Sequence, residues 1–180
     1  PRSQTLSILN EVKIDSVRFA RCYAVGSTTT NVTAFPSGGA SGTYSVSFNN
    51  GTSYLAGGTY STNLAVGTTY TVIVKDSRGC VSASTIITLP TILNGTATVT
   101  SNYNGQNVSC FNSTDGTALA SATGGTGSYT YTWSTTPTQT LAAANNLGAS
   151  TYSVTIRDGN ACSITRTVTL TQPVAVTATA

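Results

Sequence analysis

The chain has few side chains that could carry out catalysis. It contains no histidine, so the most common general base and the usual member of a catalytic triad are missing. Its five acidic residues lie far apart in sequence, so no neighbouring carboxylates are placed for acid–base chemistry. We therefore predict that the chain is not an enzyme. The acidic residues are Glu11, Asp15, Asp76, Asp115 and Asp158.

The sequence also lacks the patterns that hold metals or cofactors. Calcium requires about six to eight oxygen ligands, and no Asp-rich loop supplies them. Asp76 and Asp158 each precede a turn whose backbone an Asp side chain can bond, so we interpret both as structural. The glycine-rich residues 124–127 are followed by no helical pattern and have no lysine beside them, unlike a phosphate-binding loop. We predict neither a metal nor a cofactor.

Aromatic residues are the remaining candidates for binding. Trp133 and the nine tyrosines could stack on the apolar faces of sugar rings. Alternation with polar neighbours places most of them in a core instead. We keep Trp133, whose counterpart in the first half is Phe48, as a candidate aromatic contact.

An internal repeat supplies the elements that must position these residues. Residues 69–76 return 82 residues later as 151–158, and residues 38–44 return as 124–129. We therefore predict two domains, residues 1–90 and 91–173. The second repeat begins at residue 91, directly after Leu-Pro, and residues 174–180 directly follow Gln-Pro. We therefore expect residues 174–180 to begin a third repeat.

Both repeats predict strands. Apolar and polar residues alternate through Tyr44, Val46 and Phe48, and again through Tyr129, Tyr131 and Trp133. Turn-forming clusters recur about every 8 to 12 residues, and no helical period is sustained. The predicted fold is all-β: two tandem immunoglobulin-like antiparallel β-sandwiches of about seven strands each, elongated overall. Threonine is about a fifth of the chain and charged residues are 7%, so neutral hydroxyls and amides must cover the surface.

Each repeat contains two cysteines. Four cysteines allow three pairings, and the symmetry of the repeats favours Cys22 with Cys80 and Cys110 with Cys162. Each bond would contribute about 4 kcal/mol in the chain-entropy model, which helps a repeat too small for a large core. Disulfides indicate an oxidising compartment, periplasmic or extracellular. Free thiols in buried strands are the alternative.

Charge and hydropathy exclude two kinds of partner. The net charge of +3 comes from scattered lysines and arginines without a basic stripe, so we predict no nucleic-acid binding. No stretch reaches the roughly 18 apolar residues of a membrane span, so we predict no direct membrane insertion. The N-terminus lacks the regions of a signal peptide, and we expect a fragment of a longer mature protein.

The second repeat resembles the SprB repeat family along almost its whole length. The resemblance is carried by Val108-Ser109-Cys110-Phe111, Asp115-Gly116 and residues 124–133, 150–162 and 171–173. The first repeat is a divergent copy, with Phe48 where the family has tryptophan and Ser-Arg-Gly-Cys in its cysteine turn.

The resemblance implies a function outside the cell. SprB-like repeats occur in very large adhesins of gliding Bacteroidetes, which the type IX system secretes and the gliding motor carries along the surface. We therefore expect an extracellular, outer-membrane-associated adhesin filament. Its expected partners are neighbouring repeats of the same chain, polysaccharide or solid substratum, and the gliding and secretion machinery through other parts of the parent protein.

Two further points depend on this resemblance. In that phylum O-glycans are attached at Asp-Ser/Thr followed by an apolar residue or threonine, and Asp15-Ser16-Val17 makes Ser16 a candidate. The alternative function is a carbohydrate-binding module appended to a secreted polysaccharide-acting enzyme, which would require exposed coplanar aromatic residues in each repeat.

Overall fold

The fold was obtained as a computed structural model, which describes residues 11–40, 42–55, 57–58 and 60–178. These residues form twelve β-strands. No helix within these ranges is long and apolar enough to cross a membrane. The prediction of an all-β fold is confirmed.

The chain divides into two compact units. The first comprises Pro1–Arg21 and Gly26–Thr91, and the second comprises Ile92–Ala180 together with the short segment Cys22–Val25. The predicted boundary between residues 90 and 91 lies one residue from this division. Residues 174–178 belong to no strand, and their role as the start of a third repeat stays a prediction.

The first unit contains two antiparallel three-stranded sheets. Their strand orders are β1-β2-β4 and β3-β5-β6. The chain forms strands here because apolar residues recur at every second position, as at Val72 and Val74, and turn residues interrupt each run. The strands are Lys13–Phe19 (β1), Thr29–Ser37 (β2), Ser45–Ser47 (β3), Ser61–Ala65 (β4), Thr69–Lys75 (β5) and Thr85–Thr88 (β6).

The second unit repeats this topology. Its sheets have the orders β10-β8-β7 and β12-β11-β9, so the same chain positions pair in both units. The pairing of β11 with β12 is continuous over seven residues. The strands are Thr91–Val99 (β7), Gly116–Gly125 (β8), Thr130–Trp133 (β9), Ala143–Leu147 (β10), Thr151–Arg157 (β11) and Ser163–Thr169 (β12).

Each unit buries its own core between its two sheets. In the first unit Val32 and Ala34 of β2 pack in one cluster with Val72 and Val74 of β5. The second unit has an equivalent cluster around Trp133. In each unit one sheet contains the first, second and fourth strands, and the other contains the third, fifth and sixth. This arrangement is an immunoglobulin-like sandwich, as predicted. The described part of each unit has six strands, one fewer than expected.

Candidate functional site

The outer side of the sheet β12-β11-β9 is the most regular surface of the second unit. Of the ten side chains on these strands that point away from the core, nine are serines or threonines and the tenth is Arg157, and all are exposed or half-buried. We call this surface the threonine face. Its hydroxyl side chains are those of Thr130, Thr132, Thr151, Ser153, Thr155, Ser163, Thr165, Thr167 and Thr169.

Strand register aligns these hydroxyls in rows. Thr151 lies opposite Thr169, and their hydroxyl oxygens are 2.8 Å apart. Thr155 lies between Thr165 on one side and Thr132 on the other. Hydroxyl side chains on adjacent strands are therefore about 4.8 Å apart, and successive ones along a strand are about 6.7 Å apart. The result is an array of groups that both donate and accept hydrogen bonds, with one cation, the exposed Arg157, between Thr130 and Ser163.

The inner side of the same strands holds the array in place. Val154 and Ile156 of β11 are fully buried, and the indole of Trp133 is 1% exposed. The indole N–H donates to the carbonyl oxygen of Leu141 at 3.0 Å. Trp133 therefore cannot present a ring face to a sugar, and its candidate role as an aromatic contact is wrong. Alternation along β9 points this ring inward, and Phe48 is likewise buried in the first unit.

The corresponding surface of the first unit is chemically mixed. Thr69 and Thr88 still pair, with 3.0 Å between their hydroxyl oxygens. Ile86 interrupts the hydroxyl pattern and is 70% exposed. The Lys75 ammonium lies 4.4 Å from the centre of the Tyr54 ring, in a cation–π contact. Lys75 corresponds to Arg157 of the second unit, so the contrast with the threonine face rests on Ile86 and not on charge.

The turn between β5 and β6 is built around Asp76. This buried carboxylate accepts hydrogen bonds from the backbone N–H groups of Ala40, Arg78 and Cys80, at 2.8 to 2.9 Å. These donors, the Ala40 N–H first, hold the pKa of Asp76 below its usual value although burial opposes the shift. The carboxylate is committed to the turn and is not a free catalytic or metal-binding group.

Asp158 has the same role in the second unit. It accepts from the backbone N–H groups of Thr126, Asn160 and Cys162 at 2.9 to 3.0 Å. Gly125 has a φ of +60°, and a Cβ there would collide with this carboxylate. The glycine-rich residues 124–127 are therefore part of a structural turn. Across the described residues, no three or more acidic, cysteine or histidine side chains gather into a metal-binding group.

The other sequence candidates lie on the surface. Asp15 forms an exposed ion pair with Lys13 at 3.2 Å, and the Ser37 hydroxyl is the main cause of its lowered pKa. Ser16 lies on β1, half-buried, at a shift in the pairing with β2. Its glycosylation stays a prediction. Glu11 is exposed, and Asp115 accepts a hydrogen bond from the backbone N–H of Ser109 at 3.0 Å.

The cysteine pairing differs from the prediction. A disulfide joins Cys22 to Cys162, with 5.3 Å between their Cα atoms, and both residues belong to the second unit. Cys80 and Cys110 are exposed free thiols. The predicted bonds Cys22–Cys80 and Cys110–Cys162 are therefore not formed.

Strand length explains why Cys110 and Cys162 do not pair. Cys162 directly precedes β12, whereas the backbone N–H of Asn112, near Cys110, bonds the side chain of Gln172 beyond the other end of β12 at 2.9 Å. Seven residues of β12 span about 23 Å. A disulfide requires Cα atoms within about 7 Å. The two cysteines of this repeat lie at opposite ends of the sandwich.

Part of the second repeat is similar to a known family. Residues 102–138 match the family model of the SprB repeat. This part of the chain is similar to the SprB repeat. The predicted resemblance is confirmed over residues 102–138, and SprB repeats are repeats of cell-surface adhesins, not a family of enzymes. The match at residues 102–138 thus supports a repeat segment of the kind found in cell-surface adhesins. No curated protein matches the sequence.

Several solved structures match most of this chain at low sequence identity. The three N-terminal domains of the outer capsid protein Hoc of bacteriophage RB49 share 17% identity over 89% of this chain and 59% of that one, with a TM-score of 0.36. A structure concerning Dscam isoform specificity shares 10% identity over 88% of this chain and 47% of that one, with a TM-score of 0.34. A tetra-tandem repeat from the extending region of a large adhesion protein shares 16% identity over 89% of this chain and 49% of that one, with a TM-score of 0.27. The chain therefore spans roughly half of each of these structures.

Proposed function

We propose that this chain is a non-enzymatic segment of a bacterial surface filament, and that its threonine face makes the adhesive contact. The observation that carries the proposal is the alignment of nine hydroxyl side chains on one side of β12-β11-β9. The SprB repeat within the second unit supports the assignment to an adhesin. The contacted material is a surface rich in hydroxyl groups, either polysaccharide or hydroxylated mineral.

The chemistry of the face suits weak contacts that are repeated many times. Each threonine hydroxyl can donate one hydrogen bond and accept two, so it can bind a sugar hydroxyl in either sense. Bonds of this kind contribute little individually because water competes for both partners. Successive repeats along one filament add their contacts, and effective concentration turns weak binding into firm attachment. A low charge avoids repulsion from charged surfaces.

Location and motility follow from the family of the repeat. Supported by the SprB match, we place the parent protein on the outer surface of a gliding bacterium, secreted by the type IX system and moved by the gliding motor. Contacts with both machineries belong to other parts of that protein. Within these repeats, reach comes from repetition, since each unit of a tandem array contacts its neighbours alone.

The test compares surface binding of three purified proteins. The first is the chain itself, and the second carries Thr132→Val, Thr155→Val and Thr167→Val, which keep the branched shape of each side chain and remove its hydroxyl. We expect binding to dextran films and clean glass, followed by mass-sensitive detection, to fall at least several-fold in this variant. Adsorption to polystyrene should persist, because it needs no hydroxyl.

The third protein is the matched control. It carries Thr96→Val, Thr98→Val and Thr123→Val on the opposite sheet, where these side chains are also exposed. Its binding to dextran and glass should equal that of the original chain. Equal binding by all three proteins, or equal loss in both variants, would contradict the assignment of adhesion to the threonine face.

A further inference from the structure

The two free thiols occupy positions whose counterparts are bonded. Cys80 and Cys162 close the same turn, since each donates its backbone N–H to the aspartate at its start, at 2.8 and 2.9 Å respectively. Each also accepts a hydrogen bond from that aspartate's N–H at 3.0 Å. Cys162 is in a disulfide, whereas Cys80 is exposed and free. The turn of the first unit therefore presents a thiol in the backbone geometry that is bonded in the second.

The other two cysteines are also equivalent. Cys22 lies seven residues before β2, and Cys110 lies six residues before β8, the corresponding strand of the second repeat. Cys22 reaches its partner as part of the segment Cys22–Val25, which belongs to the second unit although it lies in the first sequence repeat. The bonded turn cysteine thus takes its partner from the repeat that precedes it.

Strand length prevents the two cysteines of one repeat from forming a disulfide with each other. The β11–β12 turn and the segment around Cys110 lie at opposite ends of β12, about 23 Å apart. In the first unit, the Asp76 carboxylate binds the N–H of Ala40, which places the turn of Cys80 beside the last residues of β2. A partner for Cys80 or Cys110 must therefore come from outside its own repeat.

We propose that these cysteines form a series of disulfides between consecutive repeats. In this series the cysteine before the second strand of one repeat bonds the turn cysteine of the following repeat. Cys22–Cys162 is one member. Cys110 would bond the turn cysteine of a repeat that follows, and Cys80 would bond the corresponding cysteine of a repeat that precedes. The proposal rests on the repeat array in the proposed function, not on adhesion.

The chemistry of each bond is thiol–disulfide exchange. A thiolate of one cysteine attacks glutathione disulfide, forms a mixed disulfide and releases one glutathione thiolate. The second cysteine thiolate then attacks the protein sulfur of the mixed disulfide and releases the other. The two cysteine thiols lose two protons and two electrons, and glutathione disulfide is reduced to two glutathione molecules. The exposed positions of Cys80 and Cys110 allow this attack.

The test extends the chain by one repeat. Residues 1–173 are joined to a second copy of residues 91–173 in which Ser163→Thr gives the added Cys162 peptide a different mass, and the protein is refolded in a glutathione redox buffer, alkylated and mapped by mass spectrometry without reduction. We expect Cys22–Cys162 and a new bond between Cys110 and the added copy of Cys162. The alkylated thiols should be Cys80 and the added copy of Cys110. A bond between the two cysteines of the added copy would overturn the proposal, as would an alkylated added Cys162.

A variant separates pairing from folding. With Cys110→Ser in the extended chain, the added Cys162 should become alkylated while Cys22–Cys162 is kept and the β-sheet circular dichroism is unchanged. If the added Cys162 stays bonded, the proposed pairing is wrong. Binding of the original chain to dextran is measured separately, so failure of the disulfide series and failure of adhesion by the threonine face give different results.

Discussion

Single residues in equivalent turns show how this fold uses its few charges. Asp76 is one of five acidic residues, and it is buried with backbone N–H donors around its carboxylate. A charged acceptor binds such donors more strongly than a neutral one. The value of this carboxylate to the fold therefore depends on its ionisation.

The first prediction concerns acid stability. The folded pKa of Asp76 is lowered, chiefly by the Ala40 N–H, so its contribution is complete above the unfolded value near 4 and is lost as pH falls through the folded pKa. We expect the melting temperature of the first unit to fall as pH drops below about 4. Asp76→Asn should lower it at pH 7 and flatten this dependence in calorimetric scans. Glu11→Gln, at an exposed position, should leave the curve unchanged; matching curves for the two variants would contradict the prediction.

The second prediction concerns a tyrosine that closes the neighbouring loop. The Tyr129 hydroxyl donates to the carbonyl oxygen of Gly124 at 2.6 Å, and Tyr44 does the same to Gly38 at 2.7 Å. Tyr129→Phe should lower the free energy of unfolding by about 1 kcal/mol in urea titrations, because one hydrogen bond is lost. Tyr131→Phe is the control, since the Tyr131 hydroxyl has no hydrogen-bond partner among the described residues. An equal loss in both variants would exclude the hydrogen bond as the cause.

Residue types alone predicted some of these roles and missed others. The turn role of Asp76 and Asp158 follows from the local chemistry of aspartate before a tight turn, and the structure confirms it. The cysteine pairing was wrong because symmetry between repeats does not reveal which end of a sandwich a residue occupies. That information comes from strand direction, and the two cysteines of a repeat lie on different loops.

At the scale of elements, glycines occur where the backbone has a positive φ or where a side chain packs directly against it. Gly125 and Gly127 both have positive φ, +60° and +58°. A Cβ on Gly125 would collide with the Asp158 carboxylate, whereas nothing lies within 4 Å of a Cβ on Gly127. A substitution at either glycine therefore strains the backbone, but only a substitution at Gly125 also creates a steric clash.

The third prediction uses this contrast. Gly127→Ala should lower the free energy of unfolding by about 1 to 2 kcal/mol, the usual effect of a non-glycine residue in the left-handed region. Gly125→Ala should cost more, because it also displaces the carboxylate that organises the β11–β12 turn. Chemical denaturation of both variants measures the difference. Equal losses would mean that the turn absorbs the methyl group without disturbing Asp158.

Strands were predictable from the sequence to a greater extent than sheets were. Period-two alternation located β3 and β9, because each strand has one face against a core. The composition indicated hydroxyl-rich surfaces, yet the threonine face was not located. It depends on the register of β11 against β9 and β12, which alternation within one strand does not specify.

At the scale of the whole molecule, the repeat in the sequence becomes two separate cores. The internal match at a spacing of 82 residues predicted two sandwiches, and the same strand order recurs in both units. The predicted elongated form stays a prediction. No residue is shared between the two core clusters. Cooperative unfolding depends on shared packing, so each core should define its own transition.

The fourth prediction tests this independence. Phe48 and Trp133 are large side chains buried in the first and second cores respectively. Truncating either to alanine should cost about 3 to 5 kcal/mol. In differential scanning calorimetry, Phe48→Ala should displace one transition downward by more than about 10 °C, and Trp133→Ala should displace the other. Ile86→Ala, at an exposed site, should move neither. If each core variant displaced both transitions together, the two repeats would form a single cooperative unit. Tandem repetition would then supply stability as well as reach.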